Sequence, residues 1–202
     1  MNKWLVFATV FTLAGGISQA FAAGDAAAGK AKSASCAGCH GVDGNSANPE
    51  WPKLAGQGEK YLVKQLQEFK AGKRTNALMA AQAMPLSEQD MQDLSAYFAS
   101  QSQTQGAADE SLLEAGEAIY RGGNPSSGVA ACIGCHGPNG SGNPKAGFPA
   151  IGGQHAKYTA SQLNAFHKSD RANDAGKMMR NVAGKMTASE IEAVSSYVQG
   201  LH

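Results

Sequence analysis

The chain lacks a charge bias. Lys plus Arg number 17 and Asp plus Glu 16, a formal net charge of +1 over 202 residues. A nucleic-acid surface needs a basic excess, so no nucleic-acid partner is expected. Charged residues make up only 16% and aromatics 7%, which leaves few large side chains with which to build a core. No apolar run beyond the N-terminus approaches the ~20 residues that span a bilayer. No strand pattern of useful length appears, which excludes a sheet architecture. Cysteine is limited to four positions. Glycine is what is plentiful: 25 of 202 residues, about 12% against a usual ~7%. Long loops and a thin side-chain core follow, so a large apolar group is expected to fill the interior.

The first 22 residues read as an export signal. Lys3 supplies the positive charge, Trp4 to Leu13 are almost wholly apolar, and Ala20-Phe21-Ala22 gives the small-residue cleavage pattern. Cleavage is expected after Ala22, leaving a mature chain of residues 23–202 in an oxidising compartment.

The mature chain is doubled. Cys36-Ala37-Gly38-Cys39-His40-Gly41 recurs as Cys132-Ile133-Gly134-Cys135-His136-Gly137, and Pro52-Lys53-Leu54-Ala55-Gly56-Gln57 as Pro149-Ala150-Ile151-Gly152-Gly153-Gln154. Tyr61, Gln65, Leu66, Phe69, Arg74 and Asn76 return as Tyr158, Gln162, Leu163, Phe166, Arg171 and Asn173. Met79 returns as Met179, and Met91, Leu94, Tyr97 and Phe98 as Ile191, Val194, Tyr197 and Val198. Two domains are expected, over residues 23–100 and 111–202, joined by a polar linker at 101–110.

Each half reads as three helices around long loops, an all-α fold. Asp25 caps a first helix that runs to the first Cys pair, and Glu114 to Tyr120 lies in its counterpart. Apolar residues at 61, 62, 66 and 69 mark one helical face. Ser87-x-x-Asp90 and Thr187-x-x-Glu190 resemble capping boxes before final helices that bury 91, 94 and 98, or 191, 194 and 198. An apolar contact is expected between the halves.

All four cysteines sit in a C-x-x-C-H pentapeptide. This is the signature of c-type haem attachment. Two thiols three residues apart on one turn can each add to one vinyl group, and the adjacent His then faces the iron. Structural disulfides would leave the His unexplained. A zinc site would want a second ligand pair in each half, and a redox dithiol a βαβ framework; the chain has neither. Two covalent haem c groups are therefore expected, on Cys36 and Cys39 and on Cys132 and Cys135, with His40 and His136 as iron ligands. His155, His167 and His202 have no repeat partners and read as surface or loop residues.

The second axial ligand follows from the repeat. A Met thioether there raises the potential and suits electron transfer, while an open position invites ligand chemistry. Met91 and Met186 match Ile191 and Leu86 and read as core. Only Met79 and Met179 coincide in both halves, so they are assigned as the ligands, with Met84 and Met178 the nearest rivals. A metal-bound His usually gives its other ring N–H to a carbonyl or carboxylate. The matched Pro52 and Pro149 offer such carbonyls, although each Pro could equally serve only to shape its loop. Arg74 and Arg171 read as solvated cations, with haem propionates as alternative partners.

At these positions the sequence closely resembles the cytochrome c4 family of dihaem electron carriers, built from two class I cytochrome c domains. The resemblance covers the whole mature chain. It rests on Ala23-Gly24-Asp25, on Cys36 through Asn45, on Pro52 through Gly58 and on the tail Ser195 through His202. It implies a small helical fold around one haem per domain and His–Met ligation at 40, 79, 136 and 179. It also supports the Pro carbonyl role. The implied function is a periplasmic carrier that is not an enzyme and takes no small-molecule substrate. Electrons would come from a quinol–cytochrome c oxidoreductase-type donor and go towards a terminal oxidase, sometimes with loose membrane association. The alternatives are the electron-transfer subunit of a flavin-type dehydrogenase and a dihaem peroxidase. Each half carries eight basic and eight acidic residues, so partner docking is not expected to rest on a large basic patch.

Overall fold

The computed structural model describes residues 23–202; the signal segment and its cleavage site lie outside the described residues. The first half contains α1 (Ala26–Lys32), α2 (Ala34–His40), α3 (Glu59–Lys70), α4 (Ala77–Ala83) and α5 (Glu88–Ala99). The second contains α6 (Leu113–Gly122), α7 (Ile133–His136), α8 (Ala156–His167), α9 (Met178–Ala183) and α10 (Ala188–Gly200). Among the described residues there are no strands beyond two isolated bridges, Asn124 with Val129 and Asn143 with Phe148. No helix of these residues is long and apolar enough to cross a membrane.

Each half thus has five helices where periodicity predicts three. The first predicted helix is broken at Ser33, which ends α1 and begins α2. The other added elements, α4, α7 and α9, are four to seven residues long, too short for a periodic signal to stand out. The predicted caps form. Asp25 accepts from the N–H groups of Ala27 and Ala28 at 2.8 and 3.2 Å. Both capping boxes close, Ser87 with Asp90 on α5 and Thr187 with Glu190 on α10. Each satisfies two N–H groups that the first helical turn leaves without partners.

The frame of each half is a crossing of its first and last helices, α1 on α5 and α6 on α10. Gly29 and Gly116 occupy the crossing points. A Cβ on Gly29 would run into the Asp93 carbonyl and Tyr97, and one on Gly116 into the Ala193 carbonyl and Tyr197. Glycine here lets two backbones touch. The expected faces of α5 and α10 are buried: Met91, Leu94 and Phe98, and Ile191, Val194 and Val198, are all at most 4% exposed. Yet the apolar cluster of the first half reduces to Leu62, Leu94, Tyr97 and Phe98. That is thin for a domain of this length, as expected where a large apolar group completes the core.

Gly29→Ala is expected to lower stability by about 1–3 kcal/mol through overpacking at the crossing. Gly122→Ala, at a helical glycine with open space around its Cβ position, should leave stability unchanged or raise it. Thermal unfolding of the two variants distinguishes crowding from a general intolerance of helix substitutions.

Candidate haem sites and the contact between the halves

Helices α2 and α7 exist to place the pentapeptides. Each ends on its His, and Gly41 or Gly137 stops it with a backbone near φ +80, at 81° and 79°, where glycine carries no Cβ penalty. One helical turn therefore presents both thiols and the imidazole together. Cys36 and Cys132 are half-buried, while Cys39 and Cys135 are exposed, and no disulfide joins any of the four.

His40 and His136 are buried, at 6% and 7% exposure. Nδ1 of His40 lies 2.9 Å from the Pro52 carbonyl oxygen, and Nδ1 of His136 lies 2.9 Å from that of Pro149. A carbonyl only accepts, so Nδ1 carries the proton and Nε2 holds the free lone pair. Burial, the largest influence, moves both imidazoles below the ordinary 6.5, against the opposing pull of the Pro carbonyls. Each ring is thus neutral, oriented and fit to ligate a metal through Nε2. Among the described residues no three His, Cys, Asp or Glu side chains converge as a binding site for a bare ion. Two thiols and one oriented imidazole on a single turn instead match the demands of a covalently attached porphyrin iron.

The methionines divide by exposure. Met79 on α4 and Met179 on α9 are partly buried, whereas Met84 and Met178 are 58% and 44% exposed. Met91 and Met186 are core, at 0% and 4%. Asn76 fixes the start of α4 by accepting from the Met79 N–H at 2.9 Å. Its repeat partner Asn173 does other work, reaching across to the first half.

The contact between the halves departs most from expectation. Its centre is polar. Arg74 and Arg171, read as solvated, are only 9% and 8% exposed. Arg74 donates to Gln65 of its own half and to Tyr158 and Gln162 of the other, all at 2.9 Å. Arg171 mirrors this, donating to Gln162 of its own half and to Tyr61 and Gln65 of the other at 2.9 to 3.1 Å. Each guanidinium also stacks on the Phe of its own half, Phe69 at 4.6 Å and Phe166 at 4.5 Å. The loops after the His residues repeat the exchange. The Gln57 amide pairs with both backbone groups of Ala150, and that of Gln154 with both backbone groups of Lys53, at 2.8 to 2.9 Å. The physical reason is symmetry. A doubled chain brings matched residues together around a two-fold relation, and Arg, Gln and Tyr can satisfy one another there where matched charges alone would repel.

Other residues sit where spacing gives no sign of them. His155 is half-buried between the halves, its Nε2 donating to the Ser46 carbonyl oxygen at 2.8 Å, and His167 bonds the Ala183 carbonyl through Nδ1. Residues 102–109 carry no helix but are held down. Asn45 bonds Ser102 and Thr104, and Ser196 and Gln199 bond Asp109 and Ala107. The matched polar residues Gln57, Gln65 and Arg74 are the signal that points to the contact. Side chains that recur on otherwise apolar or loop positions in both halves have a shared task.

Arg74→Met keeps the stem over Phe69 but leaves Gln65, Tyr158 and Gln162 short of a donor. The loss is expected to be about 2 kcal/mol or more, with Arg74→Lys intermediate because its ammonium cannot fork to three acceptors. Thermal unfolding measures this; an Arg74→Met variant as stable as the parent would mean the network contributes nothing.

The comparisons with known proteins agree with this geometry. The Cytochrome c family matches residues 26–102 and again 113–202. Cytochrome c4 of Azotobacter vinelandii is 51% identical over the full length of both chains. The crystal structure of reduced recombinant cytochrome c4 from Pseudomonas stutzeri superposes with a TM-score of 0.87 at 53% identity, covering 89% of this chain and 100% of that one. More distantly, a thiosulfate dehydrogenase electron acceptor of Thiomonas intermedia is 36% identical, covering 85% of this chain and 81% of its own. Two tandem all-α domains, each with a covalently bound haem c, follow, and the chain belongs to the cytochrome c4 family of dihaem electron carriers.

Proposed function

We propose that this carrier works in the periplasm, accepts electrons from a quinol–cytochrome c oxidoreductase-type donor and passes them towards a terminal oxidase. Cys36, Cys39, Cys132 and Cys135 would hold the two haem groups covalently, and His40 with Met79 and His136 with Met179 would ligate their irons. The domains span residues 23–100 and 111–202, with the linker at 101–110 and the export signal at 1–22. The observation that carries the ligand set is the pair of buried imidazoles, each locked through Nδ1 at 2.9 Å to a Pro carbonyl. A partly buried Met stands in each half on a short helix at the matched position.

When bound, each haem c supplies an iron that gains or loses one electron. The chain keeps the surroundings of that change still. Pro52 and Pro149 fix the tautomer and orientation of the His rings and raise their basicity as ligands. Asn76 pins the helix that carries Met79. Low reorganisation follows from ligands that neither leave nor rotate, and no substrate pocket is needed. A Met on each iron would occupy the position that a peroxidase must keep open. The reciprocal Arg–Gln–Tyr network holds the two halves in one arrangement, so that an electron entering through one half can leave through the other.

A second reading is an electron acceptor bound to a partner dehydrogenase. The resemblance to the thiosulfate dehydrogenase electron acceptor supports it; the 51% identity to cytochrome c4 over the whole length of both chains favours the freely exchanging carrier.

Met79→Ala is expected to remove the sulfur-to-iron charge-transfer absorption of one haem out of two and to lower that haem's potential. Met84→Leu should leave the spectrum intact. Loss of the band in Met84→Leu and its retention in Met79→Ala would transfer the ligand role to Met84.

A further inference from the structure

Lys53 is the unusual charge in this molecule. Its residue is 6% exposed, and lysine is almost never fully buried without a partner of opposite sign. Among the described residues no carboxylate lies within 4.0 Å of its ammonium. Nζ instead donates to two neutral carbonyls, Thr104 of the linker at 2.6 Å and Gly153 of the second half at 3.0 Å. Burial is the cause that moves its pKa below the ordinary 10.5.

Its place is equally particular. Lys53 directly follows Pro52, whose carbonyl holds His40. Gly153 lies four residues beyond Pro149, whose carbonyl holds His136. The ammonium therefore lies between the two loops that orient the iron-ligating imidazoles. The backbone at this point is duplicated, since Lys53 and Ala150 each donate an N–H to a Gln of the opposite half at 2.9 Å. The side chain is not: the repeat partner of Lys53 is Ala150. A clasp between the halves is thus already made by backbone and Gln, identically on both sides. The clasp itself is made without the lysine side chain, so the charge at this one position calls for another task.

We propose that Lys53 is a buried positive charge that raises the reduction potential of the dihaem unit. A reduced haem holds one electron more than an oxidised one, so a nearby cation in a water-poor interior favours reduction. The proposal rests on the two haem sites read above. It adds a residue that is not among the iron ligands and acts through its charge.

The test uses the haem-loaded protein. Lys53→Met keeps the length and removes the charge; Lys53→Arg keeps the charge. Spectroelectrochemical titration reads both midpoints, and the haem absorbance of the same samples reads loading. The expected result is a lower sum of the two midpoints in Lys53→Met. That corresponds to a fall of at least about threefold in the equilibrium for reduction by a fixed donor, with Lys53→Arg close to the parent. Ala150→Lys adds a second cation at the duplicated position and should move the sum upward. Should Lys53→Met fail to assemble, Ala150→Lys decides alone. Unchanged midpoints in a fully loaded Lys53→Met protein, or a downward shift in Ala150→Lys, would overturn the proposal. A protein that carries no haem at all would instead overturn the site reading beneath it.

Discussion

Two hydrogen bonds of 2.9 Å, from His40 to the Pro52 carbonyl and from His136 to the Pro149 carbonyl, are the constraint on which the rest depends. An imidazole has two nitrogens, and only one can face an iron. By committing Nδ1 to a carbonyl, the chain settles which nitrogen that is and at what angle the ring stands. Proline suits the task because it gives the loop a fixed φ while its own carbonyl remains free to accept. Everything upstream serves this arrangement. Helices α2 and α7 stop at the His on a glycine, and the loop that follows returns the Pro to the ring.

A second level of order comes from duplication. Once two equal domains are joined in one chain, their contact is built from matched residues. An apolar contact of that kind would be self-complementary but permissive about register. The contact seen here uses Arg74 and Arg171, each forked across Gln and Tyr residues of both halves. Buried hydrogen-bonding groups tolerate little displacement, because each one left without a partner is costly. The polar centre therefore defines one arrangement of the halves, as a two-site electron carrier needs.

Much of the fold was readable from residues alone, and each success has a physical basis. The capping boxes at Ser87 and Thr187 are local, so a four-residue pattern suffices to place α5 and α10. The buried positions 91, 94 and 98 follow from helical periodicity. The C-x-x-C-H motif is specific because its chemistry is local too. What spacing left out is long-range. Arg74 and Arg171 look like surface cations until the opposite half supplies their acceptors. Gln65 joins Leu62 and Phe69 as a buried residue of α3, at 5% exposure, while its apolar neighbour Leu66 is only half-buried. The break at Ser33 and the short α4 and α9 escape periodicity, since neither spans two full turns. The buried Lys53 has no local signature at all.

The most direct test of the whole account is whether two haem groups are bonded to this polypeptide. Acid–acetone extraction of the denatured protein, followed by intact-mass measurement, answers it. Colour that stays with the polypeptide, and a mass above that of the mature chain by two haem groups, is the predicted result. Colour that passes into the organic solvent, or a mass equal to the bare chain, would contradict it.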